Sequence, residues 1–393
     1  MANFTHADSI ADLRRYARAR LPKAVFDFFD GGAETETTLT RNVSDLADMV
    51  LVPRYFVDVE RRDLTTTILG RPAAFPLIVA PTGLAALGWP LADIALARAA
   101  TAAGIPFIVS TSSSVRLEEI AAGAPGARLW FQVYPYRDRE LVRSLIKRAL
   151  DCDFEAIAVT VDVPMLGHRS RDHHNRFTVP LVPTPRLAWD VMRCAGWTTG
   201  ILRHGVPKMQ NFVDGGHGAK VESLAQLMTS NMNPASTWDD LRWIRDAWPR
   251  KIVLKGILSA ADASRAAAEG LDGLIVSNHG GRQLDGGPST VSVLPEILHA
   301  VKGGLEVYID GGIRSGTDIA KVVALGARAA SVGRATLYGV SAGGEAGAAH
   351  ALSILRTGYD RTLALTGAPS TRQLDATFVR GASVISADGG RAG

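Results

Sequence analysis

Cysteine is nearly absent. The 393 residues hold two, Cys152 and Cys194, without redox-pair or metal-ligand spacing. A disulfide-stapled secreted scaffold is therefore excluded, and free thiols in a reducing cytoplasm are expected. Long apolar runs are missing too. No stretch of about 18 apolar residues exists, so no membrane-spanning helix is expected. The opening residues, MANFTHADSIADLRRYARARLPK, carry charge too early for a signal peptide and lack an apolar core. The densest basic stretch, Arg14 to Arg20, has helical spacing and no interleaved stacking surface. It reads as a solvated helix face rather than a nucleic-acid patch, and the net charge is only +4. DHHN at Asp172 to Asn175 lacks a third spaced ligand, so no metal site is expected.

What is abundant is apolar residues (47%) and glycine (39), with the glycines at the ends of apolar runs. That is the composition of a globular chain with a sizeable core. The β-type runs are PLIVA (76–80), PFIVS (106–110), LWFQVY (129–134), AIAVTVD (156–162), KIVLK (251–255), GLIVS (273–277), EVYID (306–310) and AASVG (329–333). Each is followed by a helical pattern, as in LADIALARAATAAG. Continuous runs alternating with helices predict a parallel sheet closed as a (β/α)8 TIM barrel. The competitor, a doubly wound open sheet, lacks a G-x-G-x-x-G after its first strand. Residues 1–62 are expected to form an N-terminal helical cap, 63–375 the barrel, and 376–393 a C-terminal tail. Between AIAVTVD and KIVLK lie roughly 88 residues (about 163–250), and connections that long are usually lids or binding elements.

In this architecture chemistry gathers at the C-terminal ends of the strands. Those ends carry Thr82, Ser110, Gln132 with Tyr134, Thr160 with Asp162, Lys255, Ser277 with His279, Asp310, and Gly333 with Arg334. DGGIRSGTD (310–318) and GRATLYG (333–339) place glycines and an arginine before helix starts, a phosphate cradle after strands 7 and 8. Lys255 closes a strand buried on both faces, where an unpaired ammonium is costly, so it should face an anionic or electron-rich group. Asp162 and His279 fit a carboxylate–imidazole pair that orients a general base. Arg169 and Arg282 offer planar forks for a carboxylate. Together these predict redox chemistry on an organic acid, with a phosphate-bearing cofactor.

The stretches LPKAVFDFFDGGAE, APTG, FQVYPYRDR, TVDVPMLGHRSRDHHNRF, VLKG, SNHGGRQLDGG, DGGIRSG and GRATLYG resemble the FMN-dependent α-hydroxy-acid dehydrogenase/oxidase family over nearly the whole chain. APTGLAALGWP, ALARAATAAGIPF and WDDLRWIRDAWP look most like its mandelate-oxidising branch. The resemblance implies FMN as cofactor, a small 2-hydroxy acid as substrate, oxygen or a quinone as electron acceptor, and a homotetramer. His279 would be the base at the substrate hydroxyl or α-carbon, backed by Asp162. Arg282, Arg169 and Tyr134 would hold the carboxylate, and Lys255 would lie beside the flavin N1 and C2 oxygen. Pro81, Thr82, Gly83, Ser110, Gln132, Thr160 and Ser277 would line the ring system, with Asp310, Gly312, Arg314, Gly333 and Arg334 at the ribityl chain and phosphate.

One position departs from the family. Where it usually carries a substrate-contacting tyrosine, this chain has Phe28. Ser112 stands where glycolate oxidase carries a wall-forming tryptophan. Both changes point to a bulky, aromatic 2-hydroxy acid of the mandelate kind, with a short-chain lactate or glycolate oxidase as the alternative. Another FMN- or phosphate-binding barrel is the more distant one. Within the long connection, 186–208 carries Trp189, Met192, Trp197, Ile201 and Leu202 among Arg186, Arg193, Arg203 and Lys208. It reads either as a lid or as an interfacial anchor that would hold a cytoplasmic protein peripherally on the membrane.

Overall fold

Runs that are apolar at every position leave no face for water, and each becomes a strand of one barrel. The strands are β1 (Leu77–Val79), β2 (Phe107–Val109), β3 (Leu129–Val133), β4 (Ala156–Thr160), β5 (Lys251–Ile257), β6 (Gly273–Val276), β7 (Glu306–Ile309) and β8 (Ala329–Val332). All neighbours pair in parallel and in chain order, and β8 closes on β1 through Ala330 opposite Leu77. The computed structural model describes residues 4–178, 185–213 and 230–381.

The cap is α1 (Ile10–Arg20), α2 (Lys23–Asp30) and α3 (Thr37–Asp48). Outside the barrel lie α4 (Ala92–Ala102), α5 (Leu117–Gly123) and α6 (Arg139–Asp151). The long connection after β4 carries α7 (Ser170–His174), α8 (Pro185–Arg193), α9 (Ala195–His204) and α10 (Gln210–Val213) before α11 (Trp238–Ala247). Then follow α12 (Ala260–Ala268), α13 (Thr290–Val301), α14 (Gly316–Ala324) and α15 (Arg334–Thr366), the last kinked at Gly343 and Gly344. The C-terminal stretch is tied back, since Val379 and Arg380 pair antiparallel with Leu51 and Val50. Residues 382–393 of the expected tail lie outside the described residues.

A period of two along each strand decides what fills the barrel. Ile78, Ile108, Trp130, Ala156, Ala158, Val253, Ile275, Tyr308 and Ala329 form one buried apolar cluster in its lower part. Ile68, Leu69 and Ala73 join it from a short hairpin, Thr66–Ile68 with Arg71–Ala73, that plugs the N-terminal end. Two residues further along the strands stand Ser110, Gln132, Thr160, Lys255, Ser277, Asp310 and Ser331, all buried. The barrel is thus a dry plug capped by a polar ring, and the ring faces the C-terminal mouth.

The cap is anchored to that mouth by buried polar pairs. Asn42 of α3 and Asn278 after β6 exchange amide hydrogen bonds at 2.9 and 2.8 Å, and Asn42 Oδ1 also accepts from Thr290 N. Asp285 accepts from the backbone N–H groups of Thr35, Thr37 and Thr38 at the start of α3. Arg14 and Arg20, expected on a solvated face, are structural instead. Arg14 grips the buried Asp30 through Nε and Nη2 at 2.6 and 2.7 Å, and Arg20 stacks over Trp89 while donating to Gly88 O.

Removing Asn42 leaves Asn278 its bonds to Pro288 O and Gly281 N but takes the acceptor from the buried Thr290 N, and an orphaned group costs about 1–3 kcal/mol. Asn42→Ala should therefore lower unfolding stability by about 1–3 kcal/mol in urea titration with an unchanged m-value. An unchanged midpoint would show that this pair does not hold the cap.

Candidate active site

The polar ring opens into a cavity of about 950 Å³, a size typical of cofactor and substrate sites. The loop Ser277 to Thr290 forms much of one side. His279 (φ +57°), Gly280 (+65°) and Gly281 (+73°) take consecutive left-handed conformations, unusual for a histidine. Gly281 needs to be glycine, because a Cβ there would lie 2.5 Å from the amide N of Leu39 in the cap. The strain is over-determined by neighbours. Ser277 Oγ accepts from His279 N, Asn278 is locked to Asn42, and Gln283 donates to Asp162 O and Met165 O.

His279 Nδ1 lies 3.0 Å from Asp162 Oδ1 and 3.2 Å from Oδ2, leaving Nε2 toward the cavity. Burial lowers the imidazole pKa below its ordinary value and Lys255 lowers it further, outweighing the upward pull of Asp162. Burial pulls the Asp162 carboxyl upward, but the His279 charge and hydrogen bond, with Lys255, hold it below the carboxylate norm. Both directions favour a neutral imidazole on an ionised carboxylate, an arrangement able to serve as a general base.

Lys255 is 4% exposed. Burial works against its charge, yet Asp310 at 3.1 Å, together with Asp162, raises its pKa. It donates to Ser277 Oγ at 2.8 Å and remains an ammonium on the barrel axis. Arg282 Nη1 donates to Phe28 O and Gly31 O, and Arg334 donates to Phe29 O, Gly31 O and Gly280 O. Burial pushes Arg282 well below the usual guanidinium range, with the Arg169 and Arg334 charges adding to it, and Arg334 falls to about 10. Burial likewise lowers Arg169. So many crowded cations are an electrostatic invitation to an anion. Burial also raises Tyr134 well above the phenol norm, keeping it a neutral hydroxyl.

The predicted residues converge. Phe28, Pro81, Thr82, Gly83, Ser110, Ser112, Gln132, Tyr134, Thr160, Arg169, Lys255, His279, Arg282, Asp310, Gly312, Arg314, Gly333 and Arg334 all line the cavity. Asp162 and Ser277 stand just behind it, on His279 and Lys255 respectively. Sequence reading missed Ser331, although its position two beyond the inward-facing Ala329 could have flagged it. It also missed Asp172 and Phe177, which line the same wall. Phe177 stacks on Phe28 with ring centroids 4.6 Å apart and planes 17° apart.

Among the described residues, several buried polar atoms of the cavity lining have no protein partner: Thr82 Oγ1, Gln132 Nε2, Thr160 Oγ1, Arg169 Nε, Asp310 Oδ1 and Ser331 Oγ. Buried polar atoms are nearly always satisfied, so this ring is built for a polar guest. An isoalloxazine edge with N–H and carbonyl groups, a hydroxylated chain and a phosphate matches that mixture of donors and acceptors. Thr82, Ser110, Gln132, Thr160 and Lys255 could hold the ring system. Asp310, Ser331, Gly312, Arg314, Gly333 and Arg334 could hold the chain and the phosphate. Gly312 has φ +82°, and a Cβ there would sit 2.0 Å from Asn42 O, so that loop tolerates only glycine.

The barrel, polar ring and cationic cleft define a flavin-type oxidoreductase barrel. Residues 17–381 match the family model described as FMN-dependent dehydrogenase, and the chain belongs to that family. It is 42% identical over 376 residues to (S)-mandelate dehydrogenase of Pseudomonas putida, covering 96% of this chain and 94% of that one. It is 40% identical over 373 residues to L-lactate dehydrogenase of Caulobacter sp. (strain K31), covering 94% and 98%. A crystal structure described as monotopic membrane protein (S)-mandelate dehydrogenase superposes with a TM-score of 0.91 at 41% identity, covering 95% of this chain and 99% of that one.

Proposed function

We propose that this FMN-dependent enzyme oxidises a bulky (S)-2-hydroxy acid of the mandelate kind to its 2-keto acid. The observation that carries this reading is the His279–Asp162 pair facing the same cleft as Arg169, Arg282 and Tyr134. Bound FMN supplies the two-electron acceptor. The protein does the rest. Arg169 and Arg282 take the substrate carboxylate as charge-assisted hydrogen-bond donors, and Tyr134 donates a further hydrogen bond. His279 removes the proton from the hydroxyl or α-carbon, and Asp162 stabilises the imidazolium that results. Lys255 holds positive charge where negative charge develops.

The substrate class rests on the apolar wall that lies against these cations. Phe28 brings an apolar ring in place of a phenol and is extended by Phe177. Ser112 is a small side chain beside Gly83. Burying a phenyl ring in such a site is worth roughly 2–3 kcal/mol. A lost hydroxyl contact to the carboxylate costs about 1 kcal/mol, so a large apolar substrate gains and a small polar one loses.

Membrane contact through 186–208 is supported by its surface. Trp189, Met192 and Leu202 are exposed beside Arg193, Arg203 and Lys208, whereas Trp197 is buried and donates to Leu87 O. The side chain of Arg186 lies outside the described residues. Among the described residues no helix is long and apolar enough to cross a membrane. An interfacial face of this kind would bring a lipid-dissolved quinone within reach as electron acceptor, with oxygen as the alternative.

His279→Asn should retain flavin while flavin reduction by substrate slows by about three orders of magnitude. In the wild type kcat/KM should be flat at neutral pH and fall only below the ordinary imidazole value of about 6.5, since the active form is the neutral base and burial lowers its pKa. Asp162→Asn should move that acid limb lower still. A near-normal reduction rate in His279→Asn would end the assignment, as would an acid limb above 6.5. For specificity, kcat/KM should rank mandelate above 2-hydroxyoctanoate, lactate and glycolate in stopped or continuous assays; a lead for lactate or glycolate overturns the pocket reading. Finally, Trp189→Ser/Met192→Ser/Leu202→Ser should weaken co-sedimentation with anionic vesicles, and undiminished binding would reassign the segment as a lid alone.

A further inference from the structure

The helix that follows directly on the Arg169 clamp cannot place itself. α7 has five residues, none of them buried, and a helix this short is marginal alone. Its position comes from polar ties to one stretch of the cap. Arg171 Nη1 donates to Asp30 Oδ2 at 2.9 Å, and its Nη2 donates to Glu36. Ser170 Oγ donates to Glu34 O at 3.0 Å, Glu34 N donates to His168 O at 2.8 Å, and Asn175 Nδ2 donates to Asp27 Oδ2 at 2.7 Å. Asp30 is the fixed post among these. Its side chain is 5% exposed, and besides Arg171 it accepts both Arg14 bonds from α1 and the Tyr338 hydroxyl of α15 at 2.7 Å. Arg169, by contrast, has only Asp172 at 3.9 Å as an ion-pair partner among the described residues.

We infer that Arg171, latched to Asp30 and Glu36, is a positioning residue that sets the affinity of the site for the substrate carboxylate by placing Arg169. This rests on the reading that Arg169 takes that carboxylate. The latch joins α7 to the post at which α1 and α15 also meet, so the substrate clamp inherits its rigidity from the cap–barrel contact. A guanidinium displaced by about an ångström loses much of its directed interaction with a carboxylate, which is the kind of misplacement that costs up to about a hundredfold.

The test uses the flavin-loaded enzyme and two probes that cannot be oxidised, phenylacetate and its neutral amide, with Kd read from perturbation of the flavin spectrum. Arg171→Met should keep the flavin-to-protein ratio and weaken phenylacetate about tenfold, leaving the amide within about twofold. KM for the hydroxy acid should rise in parallel while kcat changes less than about threefold, the pattern of lost uniform binding. Arg171→Lys, which keeps the charge but not the fork, should recover part of the loss. Should Arg171→Met fold poorly, Glu36→Gln loosens the same guanidinium and should shift phenylacetate in the same direction by a few-fold. Equal weakening of both probes, or no change in either, overturns the inference. Arg169→Met separates the two levels. If that variant binds phenylacetate normally, the carboxylate reading itself fails; if it loses phenylacetate while Arg171→Met does not, only the latch fails.

Discussion

Buried positive charge is the constraint around which this molecule is arranged. Lys255, Arg169, Arg282 and Arg334 all border one cavity. An isolated buried cation is expensive, and mutual repulsion adds to the cost. The structure answers in two ways. Lys255 is given carboxylates, Asp310 at 3.1 Å and Asp162 nearby, and stays charged. Arg282 and Arg334 are given backbone carbonyls, those of Phe28, Phe29, Gly31 and Gly280, which satisfy their donors without cancelling their charge. The N-terminal cap is therefore not an accessory to the barrel. Its residues 28–31 supply the oxygens that let the cations be buried and still be available to an anion.

That dependence explains what was and was not legible in the sequence. The eight strands were readable because each is apolar on both faces, and their ends named most of the cavity because inward positions alternate. Ser331 escaped because AASVG was read by its final glycine rather than by its parity. The plugging hairpin escaped because its strands, Thr66–Ile68 and Arg71–Ala73, are too short to show alternation. The pairing of Val50 and Leu51 with Arg380 and Val379 escaped because nothing local signals a partner so distant in sequence. Arg14 and Arg20 looked like surface because helical spacing records which residues share a face, not what packs against that face.

The same limit governs the loop after β6. Its composition announced a site, since a turn does not need Asn278, His279 and Arg282 together. What composition could not say is that each makes a different long-range tie: Asn278 to α3, His279 to Asp162, and Arg282 to carbonyls at the C-terminal end of α2. A left-handed histidine is costly on its own, and here three flanking anchors keep it in place. Strain, positioning and the His279–Asp162 pair thus belong to one structural unit.

Phe28 shows how a departure from family pattern can be absorbed by physics rather than lost. The guanidinium carbons of Arg282 and Arg169 lie 5.2 and 5.9 Å from the centre of its ring. An aromatic face attracts cations through its quadrupole and asks no proton in return. A phenol at this position would add one hydrogen-bond donor; the phenyl keeps only the ring face that attracts both guanidiniums, and the stacked Phe177 fixes the ring plane. On the proposed reading, carboxylate recognition falls to the arginines, beside a wall that Phe28 and Phe177 make apolar. The same substitution that removes a hydrogen bond thus leaves an arginine pair and a stacked phenyl pair side by side in one cavity.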